Sequence, residues 1–249
     1  MMKITQFIFL LWILPFYSQL KLEVKELKYE TNKFLIPKHH SVLREEKEHK
    51  GYILELTLTN NSNEAYTIPL DTKSYALPFN EDLKVYYESQ NLSLEPDFNN
   101  SLSCYAFIHQ SNSLVDIGRV GNDWDIPALK KKEIIIKKRT KEINKWGKLN
   151  DISEDTAKIY NWYLVNNLIE IKPKTSKKYK IYFNPFVKNL YWYNDIDYYQ
   201  LKPNLPYTLN FKIVCDENLY KFFTPKQKSN FKNLFTGVLE SNTIELGNR

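Results

Sequence analysis

Glycine is scarce in this chain, six among 249 residues. The scarcity excludes the glycine-rich loop that cradles phosphates, and no Gly-x-Ser-x-Gly nucleophile elbow or His-Glu-x-x-His helix occurs. Histidine is rarer still, with only His39, His40, His49 and His109. Arginine is limited to Arg44, Arg119, Arg139 and Arg249, so lysine supplies 35 − 4 = 31 of the basic residues. A specific reader of nucleic acid uses arginine forks on bases and phosphates, and this chain offers almost none. The longest apolar run, Phe7–Phe16, is too short for a membrane-spanning helix, which needs about 20 residues. No cysteine follows that run, which leaves lipid attachment through a mature N-terminal cysteine without a candidate.

What is present begins with that same run. Met1-Met2-Lys3, the stretch FIFLLWILPF and then Tyr17-Ser18-Gln19 form a charged start, an apolar segment and a small exit residue. This is the pattern of a secretory signal peptide over residues 1–18; an uncleaved anchor is the alternative. Cleavage after Ser18 leaves 249 − 18 = 231 residues, enough for one large all-β domain over 19–249. Tyrosine, phenylalanine, isoleucine, lysine and asparagine are abundant, a mixture that reflects AT-rich coding more than function. The net charge of +6 is local. Residues 130–148 carry nine basic and two acidic side chains, and the rest of the chain sums to +6 − 7 = −1. That stretch reads as a solvated face, with an anionic surface as the alternative.

Alternation of period two marks the strands. Leu20, Leu22 and Val24 alternate with Lys21, Glu23 and Lys25, with a bulge expected at Glu26-Leu27. Tyr52, Leu54, Leu56 and Leu58 form a second strand, and Asn60–Asn63 a turn into Tyr66–Leu70, a hairpin-like pair. Further strands are expected at Leu83–Glu88, Cys104–His109, Leu168–Ile171, Tyr179–Phe183, Tyr207–Cys215 and Val238–Leu246. Gly118–Asp123 reads as a loop, and Ile134–Ile136 as a strand or as part of a helix reaching Trp146. Ser153-Glu154-Asp155 suits a helix start. Thr224-Pro225-Lys226-Gln227 is a capping box with proline at the first helical position. Phe231, Leu234 and Phe235 are expected on one face of that late helix, ending before Gly237. Strands predominate without a βαβ repeat, so the fold class is mainly β, an antiparallel sandwich.

Leu54–Ser62 with Tyr66–Pro69, Ile169–Pro173 with Tyr179–Phe183, and the tail from Tyr220 through Thr224-Pro225 to Ser241-Asn242 resemble uncharacterised exported bacterial immunoglobulin-like β-sandwich proteins. The resemblance implies an immunoglobulin-like sandwich; the clean strands at 51–70 and 168–246 supply its complementary parts, so a large insertion is expected at about 73–165, with the late short helix near the end. It brings no catalytic or binding residues.

Candidate chemistry is sparse. Cys104 and Cys215 lie in strand-like text; paired, they would close a loop of about 110 residues, worth roughly 4–5 kcal/mol, and unpaired they are small buried hydrophobes. Cys104 and His109, five apart in one strand, fall on opposite faces and make no nucleophile–base pair. His39, His40 and His49 read as a solvated loop. Asp123-Trp124-Asp125 and Asp195-Ile196-Asp197 read as turn caps, with too few oxygens for calcium. The strongest surface candidate is the aromatic segment Tyr191, Trp192, Tyr193, Tyr198 and Tyr199, mixed with Asn and Asp, which suits a sugar ring or a protein. Any partner is expected to meet these rings rather than the 130–148 lysines. No motif asks for a cofactor or metal. Two functions remain: a non-catalytic envelope or secreted interaction module, periplasmic or secreted, meeting an unidentified envelope protein or glycan and no nucleic acid; or a hydrolase with unrecognised residues in 73–165. N-terminal sequencing of the exported chain should begin at Gln19; a soluble cytoplasmic chain retaining residues 1–18 would contradict export.

Overall fold

The computed structural model describes residues 19–38, 46–73, 75–78, 102–121, 126–187, 195–231 and 233–247. The apolar start, Leu83–Glu88, His39-His40 and Asp123–Asp125 lie outside the described residues. Two main sheets carry the fold. In the first, β1 (Leu20–Glu26), β2 (Tyr52–Asn60) and β9 (Ser176–Phe183) run antiparallel with β2 central. The second has the order β12 (Gly237–Glu240), β11 (Tyr207–Cys215), β5 (Cys104–Gln110), β4 (Tyr75–Ala76). It is antiparallel except for the short parallel β4–β5 edge, and β6 (Ser113–Leu114) folds back on β5 while β13 (Ile244–Leu246) continues the β11 edge. Two ribbons flank them: β3 (Tyr66–Pro69) with β8 (Leu168–Ile171), and β7 (Ile117–Gly121) with β10 (Asp195–Tyr199).

The alternation read in the sequence sets which side is buried. Leu22, Val24, Leu54, Leu56, Leu58 and Ile181 of the first sheet share one core with Cys104, Ala106, Ile108, Leu209, Phe211 and Ile213 of the second. The two sheets therefore pack as a sandwich. Each buried leucine contributes roughly 1.5–3 kcal/mol. The outer ladder Lys25–Glu55–Lys178 adds ion pairs at 3.2 and 3.5 Å with both lysines exposed, and such pairs are worth about 0–1 kcal/mol. The core, not the ladder, fixes the register, because a one-residue slip would turn every leucine outward.

Several expectations change. The strand β1 stops at Glu26 without a bulge, and Leu27 N–H donates to Ile53 C=O. The strands β2 and β3 are not a hairpin: β2 pairs with β1 and β9, and β3 pairs with β8 in a separate ribbon. The handover is made by Asn60, whose side chain accepts from Ser62 N–H and donates to the carbonyls of Glu64 and Ile171. Gly118–Gly121 is strand, not loop, with Gly118 opposite Tyr198. The stretch 73–165 is not separate from the sandwich, since its β5 lies inside the second sheet against β11. Its remainder supplies α1 (Ile126–Leu149) and α2 (Asp155–Asn166), so Ile134–Ile136 is helical. The final strand is split, with β12 and β13 separated by Ser241, Asn242 and Thr243. There the Asn242 amide accepts from Val24 N–H and donates to Val24 C=O, joining the two sheets at their edge.

The capping box forms as read: Thr224 caps Gln227 N–H and the Gln227 side chain returns to Thr224 N–H in α3 (Pro225–Asn230). The helix is shorter than expected, however. Phe231 is already its extended cap, and Asn233 has φ 50°, so Phe231, Leu234 and Phe235 do not share a helical face. Instead the chain runs on beside β3, where Leu234 bridges Thr67 and Phe235 N–H donates to Thr67 C=O. Backbone pairing with β3 overrides the apolar spacing. Phe231 and Leu234 pack with Leu164, Leu219 and Phe223 in a satellite core, and Phe235 joins the main one.

Asn161 ties the helices together. It is fully buried, accepts from Trp146 Nε1–H at 2.8 Å, and donates to Phe222 C=O at 2.8 Å and Gln227 Oε1 at 2.6 Å. Replacing Asn161 with leucine keeps the branched shape but leaves Trp146 Nε1–H, Phe222 C=O and Gln227 without this partner, each costing about 1–3 kcal/mol where the group stays out of water. Asn161→Leu should lose about 3–5 kcal/mol by urea unfolding, while Asn166→Ala, at an exposed amide, should change stability by less than about 0.5 kcal/mol. Similar midpoints for the two variants would contradict the network.

Candidate functional site

The described residues enclose a cleft of about 360 Å³ at one end of the sandwich. The ends that line it are neighbours by register: Tyr52 pairs near Phe183 at the start of β2, and Tyr207 pairs with Leu246 at the start of β11. Tyr52 and Tyr207 come from different sheets. Tyr52 Oη donates to Gly247 C=O at 2.8 Å, and Tyr207 Oη accepts from Lys202 N–H at 2.7 Å. The two phenols thus close the base of the cleft and hold its rims. The walls are Pro185 and Phe186 after β9, and Leu201 to Asn204 between β10 and β11. His49 lies stacked on Phe186 with ring centroids 4.3 Å apart. Lys50 and Lys202 bring positive charge to an otherwise mainly apolar site. Asn204 sits at φ 63°, a left-handed turn residue, which asparagine tolerates better than most side chains.

A carboxylate positions the His49 wall. Glu46 accepts from Gly51 N–H at 2.6 Å and from the hydroxyls of Tyr29 and Tyr182. Burial and then the Glu46 carboxylate push both phenols above their ordinary range. Gly51 is required here, because a Cβ would lie 2.7 Å from the Tyr182 ring and 2.8 Å from Phe183 C=O. Buried Asn184 completes the support: its Nδ2 donates to Tyr182 Oη and, at 3.3 Å, to His49 C=O, and its Oδ1 accepts from Phe186 N–H. Held by these donors, Glu46 clamps the loop.

The residues singled out in the sequence do not converge. Tyr191, Trp192 and Tyr193 lie outside the described residues. Tyr199 is fully buried in the main core, its hydroxyl donating to Ala106 C=O at 2.5 Å, so it is no surface contact. Tyr198 is half-buried, its ring lying over Gly118. Asp197 is not a turn cap. It is buried in β10 directly opposite Arg119 of β7, with Nε–Oδ1 at 2.7 Å and Nη2–Oδ2 at 3.3 Å. His49 belongs to the cleft wall and not to a solvated loop. Among the described residues, no group of three His, Cys, Asp or Glu side chains is placed to hold a metal.

Both cysteines are free and buried. Cys104 faces the main core, whereas His109 is on the other side of β5 with Phe107, as period two requires. Cys104 Sγ lies 2.6 Å from Tyr179 Oη, and burial pushes its thiol up to about 12 despite that hydrogen bond. Burial raises Cys215 as well. Neither forms a thiolate near neutrality, which removes them as nucleophiles.

The cleft itself was not legible as a site. Its signal is the proline-flanked pair of strand ends, Asn184-Pro185-Phe186 and Lys202-Pro203-Asn204, but their approach depends on the sheet order. No family model matches the chain, and no curated protein or solved structure is significantly similar to it.

Two thiols should therefore stay unreactive toward an aromatic disulfide reagent at pH 8 and both react after denaturation; absence of reaction in the denatured, non-reduced chain would show a disulfide. A raised thiol favours the folded state while it stays protonated. For Cys104 that contribution is complete below about pH 9 and is lost as pH rises toward about 12, so alkaline unfolding should begin earlier in wild type than in Cys104→Ala relative to each protein's stability at pH 7.

Proposed function

We propose that this chain is an exported, non-catalytic interaction module on an immunoglobulin-like sandwich, and that it meets an envelope protein or glycan through the cleft. The immunoglobulin-like reading is supported by strand order. On this reading β1, β2 and β9 correspond to A, B and E of one sheet, and β12–β13, β11 and β5 to G, F and C of the other. It is also supported by Tyr207, at the start of the F-like strand, whose hydroxyl bonds back to the Lys202 backbone. That contact resembles the tyrosine corner of such domains. Export rests on the apolar start of the sequence.

One observation carries the binding reading: aromatic and proline surfaces converge with Lys50 and Lys202 at the end of the sandwich, where loops present ligand contacts. The Phe186–His49 stack offers a flat face for a sugar or an extended peptide, and the lysines fix its acidic or carbonyl groups. The supporting shell of Glu46, Tyr182 and Asn184 holds that face without taking part in contact.

Titrating isotopically labelled protein with purified envelope glycans and peptides should give amide shifts converging on His49, Lys50, Phe186 and Lys202. Phe186→Ala should weaken the binding at least about tenfold with an unchanged unfolding midpoint. Shifts confined to another surface, or multiple-turnover cleavage of the ligand, would overturn the proposal.

A further inference from the structure

We propose that the outer face of α1 docks the protein onto an anionic phospholipid bilayer, with the helix lying parallel to the surface. This contact is separate from the cleft and does not depend on it. Lys130, Lys137, Lys141, Lys145 and Lys148 are all exposed. Their spacing, +7, +4, +4 and +3, places them within an arc of about 80° at 3.6 residues per turn. They form one ridge roughly 27 Å long at 1.5 Å per residue. The helix carries only two acidic residues, Glu133 and Glu142, and both lie off the ridge. Glu142 reaches Lys138 at 4.0 Å, and among the described residues no carboxylate pairs with the five ridge lysines.

The opposite face cannot roll outward. Ile143 is buried there, Trp146 donates to buried Asn161, and Arg139 lies over the Trp162 ring. The charge is also concentrated, since the chain outside this segment sums to +6 − 7 = −1. A field of that shape turns the ridge toward a negative surface.

Ile134 selects a bilayer over a soluble polyanion. It stands among the ridge lysines and is 68% exposed, and Leu149 beside the last turn is 72% exposed. A polyanion leaves both side chains in water. A membrane interface accepts them between the headgroups, while the lysine stems extend to the phosphates. Each lysine near an anionic bilayer multiplies partitioning about fivefold.

The test is co-sedimentation of the full chain with phosphatidylcholine vesicles and with vesicles containing phosphatidylglycerol, the apolar start being common to every arm. Wild type should prefer the anionic vesicles by at least about 100-fold in 0.1 M salt and lose most of that preference in 0.5 M salt. Lys137→Glu/Lys141→Glu/Lys145→Glu should abolish the preference with an unchanged unfolding midpoint. Lys172→Glu/Lys177→Glu/Lys226→Glu, which makes the same change in net charge at other exposed lysines, should keep most of it. Ile134→Ser should weaken vesicle binding severalfold and leave retention on immobilised heparin unchanged. Equal loss in the two triple variants, no lipid preference in wild type, or an Ile134→Ser chain that binds vesicles like wild type would each overturn the proposal.

Discussion

The structure depends on satisfying polar backbone at the points where the chain leaves one sheet or helix for another. Inside a sandwich an unpaired amide or carbonyl costs about 1–3 kcal/mol, a large part of a domain's net stability of about 5–15 kcal/mol. Here three fully buried asparagines fill those points: Asn60, Asn161 and Asn184. A carboxamide suits the task because it both donates and accepts, standing in for a peptide group. Asn60 carries the chain from β2 toward the β3–β8 ribbon, Asn161 joins three helices, and Asn184 turns β9 into the cleft wall. At the outer edge, Asn242 makes the same paired contact to Val24.

This arrangement explains how the cleft keeps its shape. Its walls are loop segments, yet His49 and Phe186 are held through Asn184, Glu46 and Tyr182 to the ends of β2 and β9. The rigid parts are strands, and the cleft is where their ends meet. The α1 ridge is built the opposite way. Among the described residues its five ridge lysines make no ion pair, and its position comes from the buried face that Asn161 and Trp146 anchor. The two surfaces thus share one supporting logic and differ in the ligand chemistry they present.

Short-range patterns marked the strands β1, β2, β8 and β11, the start of α2 near Glu154, and the capping box at Thr224. Each rests on short-range physics: period two for a half-buried strand, or an oxygen placed to meet a free amide. Partner choice was not legible. The strands β2 and β3 are adjacent in sequence yet lie in different sheets, and Phe231, Leu234 and Phe235 keep helical spacing in a segment that pairs with β3. Asn60, Asn161 and Asn184 were indistinguishable from the many other asparagines, because their role exists only once distant segments meet. Tyr199 failed as a surface residue for the same reason. The strand β10 turns Tyr199 toward Ala106, whose carbonyl accepts from its hydroxyl.

The most direct test is hydrogen exchange of asparagine side-chain amides, followed by NMR in the native protein at neutral pH. The account predicts that the carboxamide protons of Asn60, Asn161 and Asn184 exchange orders of magnitude more slowly than that of exposed Asn166, approaching the protection of the core amides of β2 and β11. If all four exchange at the rate of a free side chain, the buried seams are open in solution and the account is wrong.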